Sequence, residues 1–199
     1  MFQFGRTTQT AAGPDRETPW LDRGRFLELE PIAVVDIGSN SVRLVVYEGA
    51  VRAPTALFNE KVLCGLGRTV AGEGNLDHRA MQRAIDALVR FRAVIRTLHA
   101  KNIQAIATAA VRDAGNGDLF IARAEAALGC QIQILSGARE AELAAQGIRM
   151  AIAEPDGIAG DLGGGSLELI DITGARLANA ATLPLGGLRL AEQSDGKLE

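Results

Sequence analysis

The sequence predicts an α/β protein made of two related halves, the first complete and the second only begun. Three observations carry this. A stretch at 33–45, Ala-Val-Val-Asp36-Ile-Gly38-Ser39-Asn40-Ser41-Val-Arg43-Leu-Val, has a counterpart at 158–170, Ile-Ala-Gly-Asp161-Leu-Gly163-Gly164-Gly165-Ser166-Leu-Glu168-Leu-Ile. Both read Asp, apolar, Gly, two small or polar residues, Ser, apolar, charged and two apolar residues, and internal repetition of this kind points to repeated structural units. Apolar spacing then gives the order three strands, helix, strand, helix, strand, helix, followed by a new three-strand series. That second series is followed by only a few residues, although 199 residues leave room for one domain and part of another.

Taken in order, residues 1–30 mix Thr, Gln, Gly, Pro and charges without a sustained period, and are expected to form a flexible arm. Trp20, Phe26 and Leu29 are its candidate docking points. Ile32–Asp36 reads as a buried strand, Val42–Tyr47 as its hairpin partner, and a third strand falls within Ala56–Leu63. Cys64-Gly-Leu-Gly67-Arg68 breaks that strand, and Gly72, Gly74 and Asn75 read as a loop. Asp77 is placed to cap a helix whose apolar residues Met81, Ile85, Leu88, Phe91, Ile95 and Leu98 recur at spacings of three and four. Arg83, Arg90 and Arg96 lie off that stripe and read as a solvated face. Ile103–Ala107 is a strand, 117–128 a helix stopped by Gly129, and Gln131–Leu135 another strand. Ser136 caps a helix running to about Ala153, ended by Pro155. The second series occupies 157–161, 167–172 and 175–182. The domain expectation is therefore an arm at 1–30, a first domain at 31–153, and the truncated start of a second at 154–199.

Composition narrows the function. The hydrophobic share of 47% supports a packed core, while 4% aromatic residues leave little for base stacking. A formal charge of −3 argues against a general nucleic-acid binder. No stretch approaches a membrane span, and the N-terminus lacks a signal-peptide core, so a cytoplasmic protein is expected. Cys64 and Cys130 are far apart and without metal-ligand spacing, and read as structural thiols. His78 and His99 flank one helix and do not read as ligands.

The repeated stretch carries the chemistry. Each copy is a strand, a tight turn and a second strand, with Asp at the end of the first strand. Glycine permits the turn and a close backbone approach. The small residues leave amide N–H groups free, and a concave set of such groups binds anions, phosphate above all. Gly38, Ser39, Asn40, Ser41, Gly163, Gly164, Gly165 and Ser166 would supply N–H and hydroxyl donors. Strand alternation puts Ser166 and Glu168 on one face, so Asp161 and Glu168 can reach one Mg²⁺ (or Mn²⁺), with Asp36 completing an acidic metal set from the other half.

Five segments in order resemble the exopolyphosphatase/guanosine pentaphosphate phosphohydrolase (Ppx/GppA) family of the actin-like ATPase superfamily. They are Val35–Ser41, Ala107-Thr108-Ala-Ala-Val-Arg112-Asp-Ala, Ser136-Gly137-Ala-Arg-Glu140-Ala, Asp161–Leu169, and Leu183-Pro-Leu-Gly186-Gly-Leu-Arg189-Leu. The resemblance covers about 32–190. It departs at Thr182, where Ser is expected, and in lacking most of the second domain. It implies a ribonuclease-H-like domain with a mixed five-stranded sheet and flanking helices, plus the opening three strands of a truncated copy.

It further implies hydrolysis of a terminal phosphoanhydride in inorganic polyphosphate or guanosine pentaphosphate, with these as partners and a homodimer for the full-length protein. Glu140 resembles the carboxylate that activates the attacking water, and Arg112 the phosphate-binding Arg of a loop after the fourth strand. Asp36, Asp161 and Glu168 complete the catalytic set, and the choice of general base between Glu140 and Glu168 stays open. The alternatives are an ATP-dependent kinase or ATPase of the same superfamily and a non-catalytic guanosine pentaphosphate sensor. The 199-residue chain itself is expected to be nearly inactive, because both halves are needed to close the cleft.

Overall fold

A computed structural model describes residues 29–174 and 176–194. Its first sheet has the order β3-β2-β1-β4-β5, from β1 (Ile32–Ile37), β2 (Ser41–Tyr47), β3 (Ala56–Leu63), β4 (Asn102–Ala107) and β5 (Gln133–Ile134). β1 to β3 form an antiparallel meander, while β4 and β5 run parallel to β1, so the sheet is mixed. The second sheet is the antiparallel set β6-β7-β8, from β6 (Asp156–Leu162), β7 (Leu167–Thr173) and β8 (Arg176–Leu183).

The helices follow local signals. α2 (His78–Thr97) starts where the Asp77 carboxylate accepts the Ala80 N–H at 2.8 Å, satisfying one of the helix's orphan donors. Met81, Leu88, Phe91 and Ile95 bury its apolar stripe against the first sheet and α4. α4 (Gly117–Leu128) ends at Gly129, which takes a left-handed conformation with φ 85°. α5 (Gly137–Ala151) is capped by Ser136, whose hydroxyl accepts the Arg139 N–H. Its small apolar face, Ala141, Ala145 and Ile148, packs on Ile170 and Ile172 of β7. α5 thus follows the first sheet in the chain but covers the second. The arm's Trp20 and Phe26 lie outside the described residues, whereas Leu29 packs against the backbone of Gly49.

Three local expectations are corrected. Gly72 is not in an open loop: after a 3₁₀ turn at Leu66–Arg68 it lies in a one-turn helix, α1 (Val70–Glu73). Gly65 and Gly74 bracket the two turns with φ of 68° and 71°, and buried Leu66 anchors the first. β5 spans two residues rather than five, because the Ile132 N–H is taken by the Glu125 carboxylate at 2.8 Å. Arg112 lies in a one-turn helix, α3 (Ala109–Asp113), rather than a loop. Both cysteines are free thiols, and burial raises the pKa of each.

Candidate active site

The two repeated hairpins close in the same way. The Gly38 N–H donates to the Ser41 carbonyl at 2.9 Å, and the Gly163 N–H to the Ser166 carbonyl at 2.9 Å. In the first hairpin Asp36 faces Arg43 across the strands; in the second Asp161 faces Glu168. The two turns meet directly. A Cβ on Gly164 would lie 3.2 Å from the Ser39 Cβ, and one on Gly165 only 2.6 Å from the Ser39 Oγ. None of Gly38, Gly163, Gly164 and Gly165 has a positive φ. Glycine at 164 and 165 is therefore required by close approach of the two loops, not by left-handed turn geometry.

Each turn is braced from behind, through its carbonyls. Cys64 and Gly65 donate their N–H groups to the Asn40 carbonyl at 2.9 Å, and Gly67 donates to Ser39 at 2.7 Å. The second turn is held by α6 (Gly187–Gln193), whose Gly187 and Leu188 N–H groups donate to the carbonyls of Gly163 and Gly164 at 3.0 and 2.9 Å. Among the described residues, no backbone hydrogen bond uses the N–H of Ser39, Asn40, Gly164 or Gly165. Carbonyls engaged on one side and amides unspent on the other suit an anion.

A cleft of about 540 Å³ opens between the halves. Both turns line it, together with Asp36, Asp161, Glu140 and Lys61. Ser39 and Ser166 are buried at its base. Burial pushes the Asp36 carboxyl up; Arg43 lowers it, Asp161 raises it further and Lys61 lowers it. Glu140, in the first turn of α5, is pushed up to about 7, first by burial and next by the nearby Glu168 carboxylate, with Arg112 pulling it down.

Glu168 is only 1% exposed. It shares its inward strand face with Ser166, so it is not the exposed strand residue that its charge alone would suggest. Its Oε1 is buried and makes no hydrogen bond among the described residues, and such a group normally has an ion, water or donor beside it. No cluster of three His, Cys, Asp or Glu side chains close enough to hold a metal ion exists among the described residues. Asp36, Asp161 and Glu168 thus do not form a ready-made cage. The donor set still fits Mg²⁺, which binds through one or two carboxylates plus water and substrate phosphate.

Arg112 does not line the cleft. Its Nη1 donates to the Leu135 carbonyl at 3.0 Å and to Glu140 Oε2 at 3.4 Å, and its Nε to Asp113 Oδ1 at 3.2 Å. Lys61 and Thr108, which do line the cleft, were missed by sequence reasoning. The register places Lys61 opposite Arg43, which is itself opposite Asp36, so one polar row crosses three strands. Alternation along β3 held that signal, but only once its register with β2 was known.

A mixed five-stranded sheet and a three-stranded antiparallel sheet, each carrying an Asp-turn-strand hairpin on one shared cleft, make the ribonuclease-H-like fold of the actin-like ATPases. A type IV pilus PilM–PilN complex shares this fold at a TM-score of 0.51 and 14% identity. Residues 44–195 match the Ppx/GppA phosphatase family, and the chain belongs to that family. It is 32% identical to an exopolyphosphatase from Cytophaga hutchinsonii, with a TM-score of 0.77 over 82% of this chain and 53% of that one. A Ppx/GppA enzyme from Aquifex aeolicus is 26% identical, with a TM-score of 0.71 over 83% of this chain and 56% of that one. The chain therefore spans little more than half the length of these relatives.

Proposed function

We propose that the chain carries the phosphate-binding hairpins and the base of a Mg²⁺- or Mn²⁺-dependent hydrolase of terminal phosphoanhydrides, acting on inorganic polyphosphate, guanosine pentaphosphate or both. The observation that carries this is the meeting of the two turns, with unspent amides and three carboxylates on one cleft. Amides of Ser39, Asn40, Gly164 and Gly165 would hold the terminal phosphoryl group in place. Lys61 offsets its negative charge from the β3 side.

Glu140 is the better placed general base. It lines the cleft, and a carboxyl pushed up to about 7 is matched to taking a proton from water near neutral pH. Glu168, buried near it and not itself lining the cleft, raises its proton affinity and keeps an oxygen without a hydrogen bond among the described residues. Asp36, Asp161 and Glu168 would hold the divalent ion, which when bound neutralises phosphate charge and polarises the attacking water. Arg112 orients Glu140, with its Nη1 shared between that carboxylate and the Leu135 carbonyl.

Turnover by this chain alone is expected to be slow. Ile158 and Leu162 on β6 are 79% and 67% exposed, so one side of the second sheet is open to water, and exclusion of water is part of such catalysis. The test is Mg²⁺-dependent phosphate release, at high protein concentration, from long polyphosphate, guanosine pentaphosphate and ATP in parallel. Release from either of the first two, lost in Glu140→Ala, supports the hydrolase. Turnover of ATP alone would move the reading to a kinase or ATPase. Tight guanosine pentaphosphate binding, with no release and no effect of Glu140→Ala, would make it a sensor.

A further inference from the structure

Arg189 has no role in the scheme above, yet it is tied to both halves. It lies in the first turn of α6, and its N–H donates to the Gly164 carbonyl at 3.3 Å. Its Nη1 reaches across to Asp113 Oδ2 at 3.6 Å. The other oxygen of Asp113 accepts from Arg112 Nε at 3.2 Å. Asp113 thus divides its carboxylate between two guanidinium groups, one from each half.

The geometry of Arg112 gives this chain of contacts a purpose. A guanidinium is planar, and pinning it at both Nε and Nη1 leaves one orientation. The Nη1 pin is the Leu135 carbonyl with Glu140; the Nε pin is Asp113 alone. Asp113 can swing about its own side-chain bonds unless its second oxygen is also held. The Arg189–Asp113 pair is 26% and 32% exposed, so solvent screening leaves it little direct stabilising value. Its consequence is angular.

We propose that Arg189 is a positioning residue: acting through Asp113, it orients the Arg112 guanidinium on Glu140, so that the site in the first half is set only when α6 is docked. The catalytic consequence rests on the hydrolase reading; the positioning does not.

The experiment reads the Arg112 Nε–H by ¹⁵N NMR of the chain, assigned with Arg112→Lys, alongside the affinity for tripolyphosphate in Mg²⁺. Arg189→Gln should make exchange of that Nε–H about tenfold faster, as should Asp113→Asn, which cuts the link from the other side. Arg189→Lys should restore part of the protection. Arg189→Gln should weaken tripolyphosphate binding about threefold to tenfold, with no further loss in an Arg112→Ala background. An Nε–H indifferent to Arg189→Gln would overturn the proposal even if Asp113→Asn, which removes its direct partner, exposes it; equal losses of affinity in the two backgrounds would overturn it as well. If the Nε–H responds as expected but the wild-type chain binds no tripolyphosphate, the positioning stands and the hydrolase reading falls.

Discussion

Gly186 and Gly187 are neighbours at the start of α6, yet the same substitution should act on them in opposite directions. A Cβ on Gly186 would sit 2.3 Å from the Gly165 carbonyl carbon and 2.4 Å from the Gly164 carbonyl carbon and oxygen. These are backbone atoms of the second phosphate turn and cannot rotate away. Restoring an ordinary carbon contact of about 3.4 Å requires a separation of roughly 1 Å. That shift breaks the Gly187 and Leu188 hydrogen bonds to Gly163 and Gly164, now 3.0 and 2.9 Å.

Overpacking costs about 1–3 kcal/mol, and each of the two lost backbone bonds about 0.5–1.5 kcal/mol, so Gly186→Ala should destabilise by about 2–6 kcal/mol. Gly187 has nothing within 4 Å of its would-be Cβ, so Gly187→Ala should be neutral or stabilise by up to about 1 kcal/mol through the unfolded chain. Urea unfolding of the two variants measures both, and tripolyphosphate titration should show affinity lost only for Gly186→Ala. Equal urea midpoints for Gly186→Ala and wild type would refute the claim that α6 braces the turn.

Other outcomes can be stated briefly. Glu140 has a folded pKa of about 7 against 4.5 ordinarily, so the folded state binds the extra proton between those values and loses stability as pH rises through them. The urea midpoint of wild type should therefore fall relative to Glu140→Gln between pH 4.5 and 7, and a constant difference would contradict the shift. If Glu140 is the base, phosphate release should rise with pH through about 7; because Arg112 lowers that value, Arg112→Ala should move the rise to higher pH. Mg²⁺ should raise the melting temperature of wild type and have little effect on Glu168→Gln or Asp161→Asn, checked by scanning fluorimetry. Asp77→Ala removes the α2 cap and should cost about 1 kcal/mol in urea unfolding.

The strands and long helices were legible because their signals are local. Asp77, Gly129 and Ser136 each act within one helical turn, and the stripe of α2 repeats along a single element. The hairpin repeat was equally legible, since Asp36 and Asp161 hold the same place in two copies of one pattern. Short elements were not. The 3₁₀ turn at Leu66–Arg68 and α3 are single turns anchored by buried Leu66 and by buried Ala109, Ala110 and Val111, a burial that no window of sequence contains. β5 starts late because the Glu125 carboxylate of α4 took the Ile132 amide.

The sequence alone determined the α/β class, the doubled hairpin and the place of Asp36 and Asp161 at the same point of its two copies, because residue type and spacing suffice for these. The tertiary structure decided how they act. It buried Glu168 and placed Glu140 on the cleft, turned Arg112 onto Glu140 instead of the open cleft, and brought Lys61 alongside Arg43. It also showed that Gly164 and Gly165 are glycine for want of space. The physical reason is common to all five: burial, charge proximity and backbone contact are set between separate elements, 28 positions apart for Arg112 and Glu140 and more than a hundred for Ser39 and Gly165, and local sequence carries no measure of that distance.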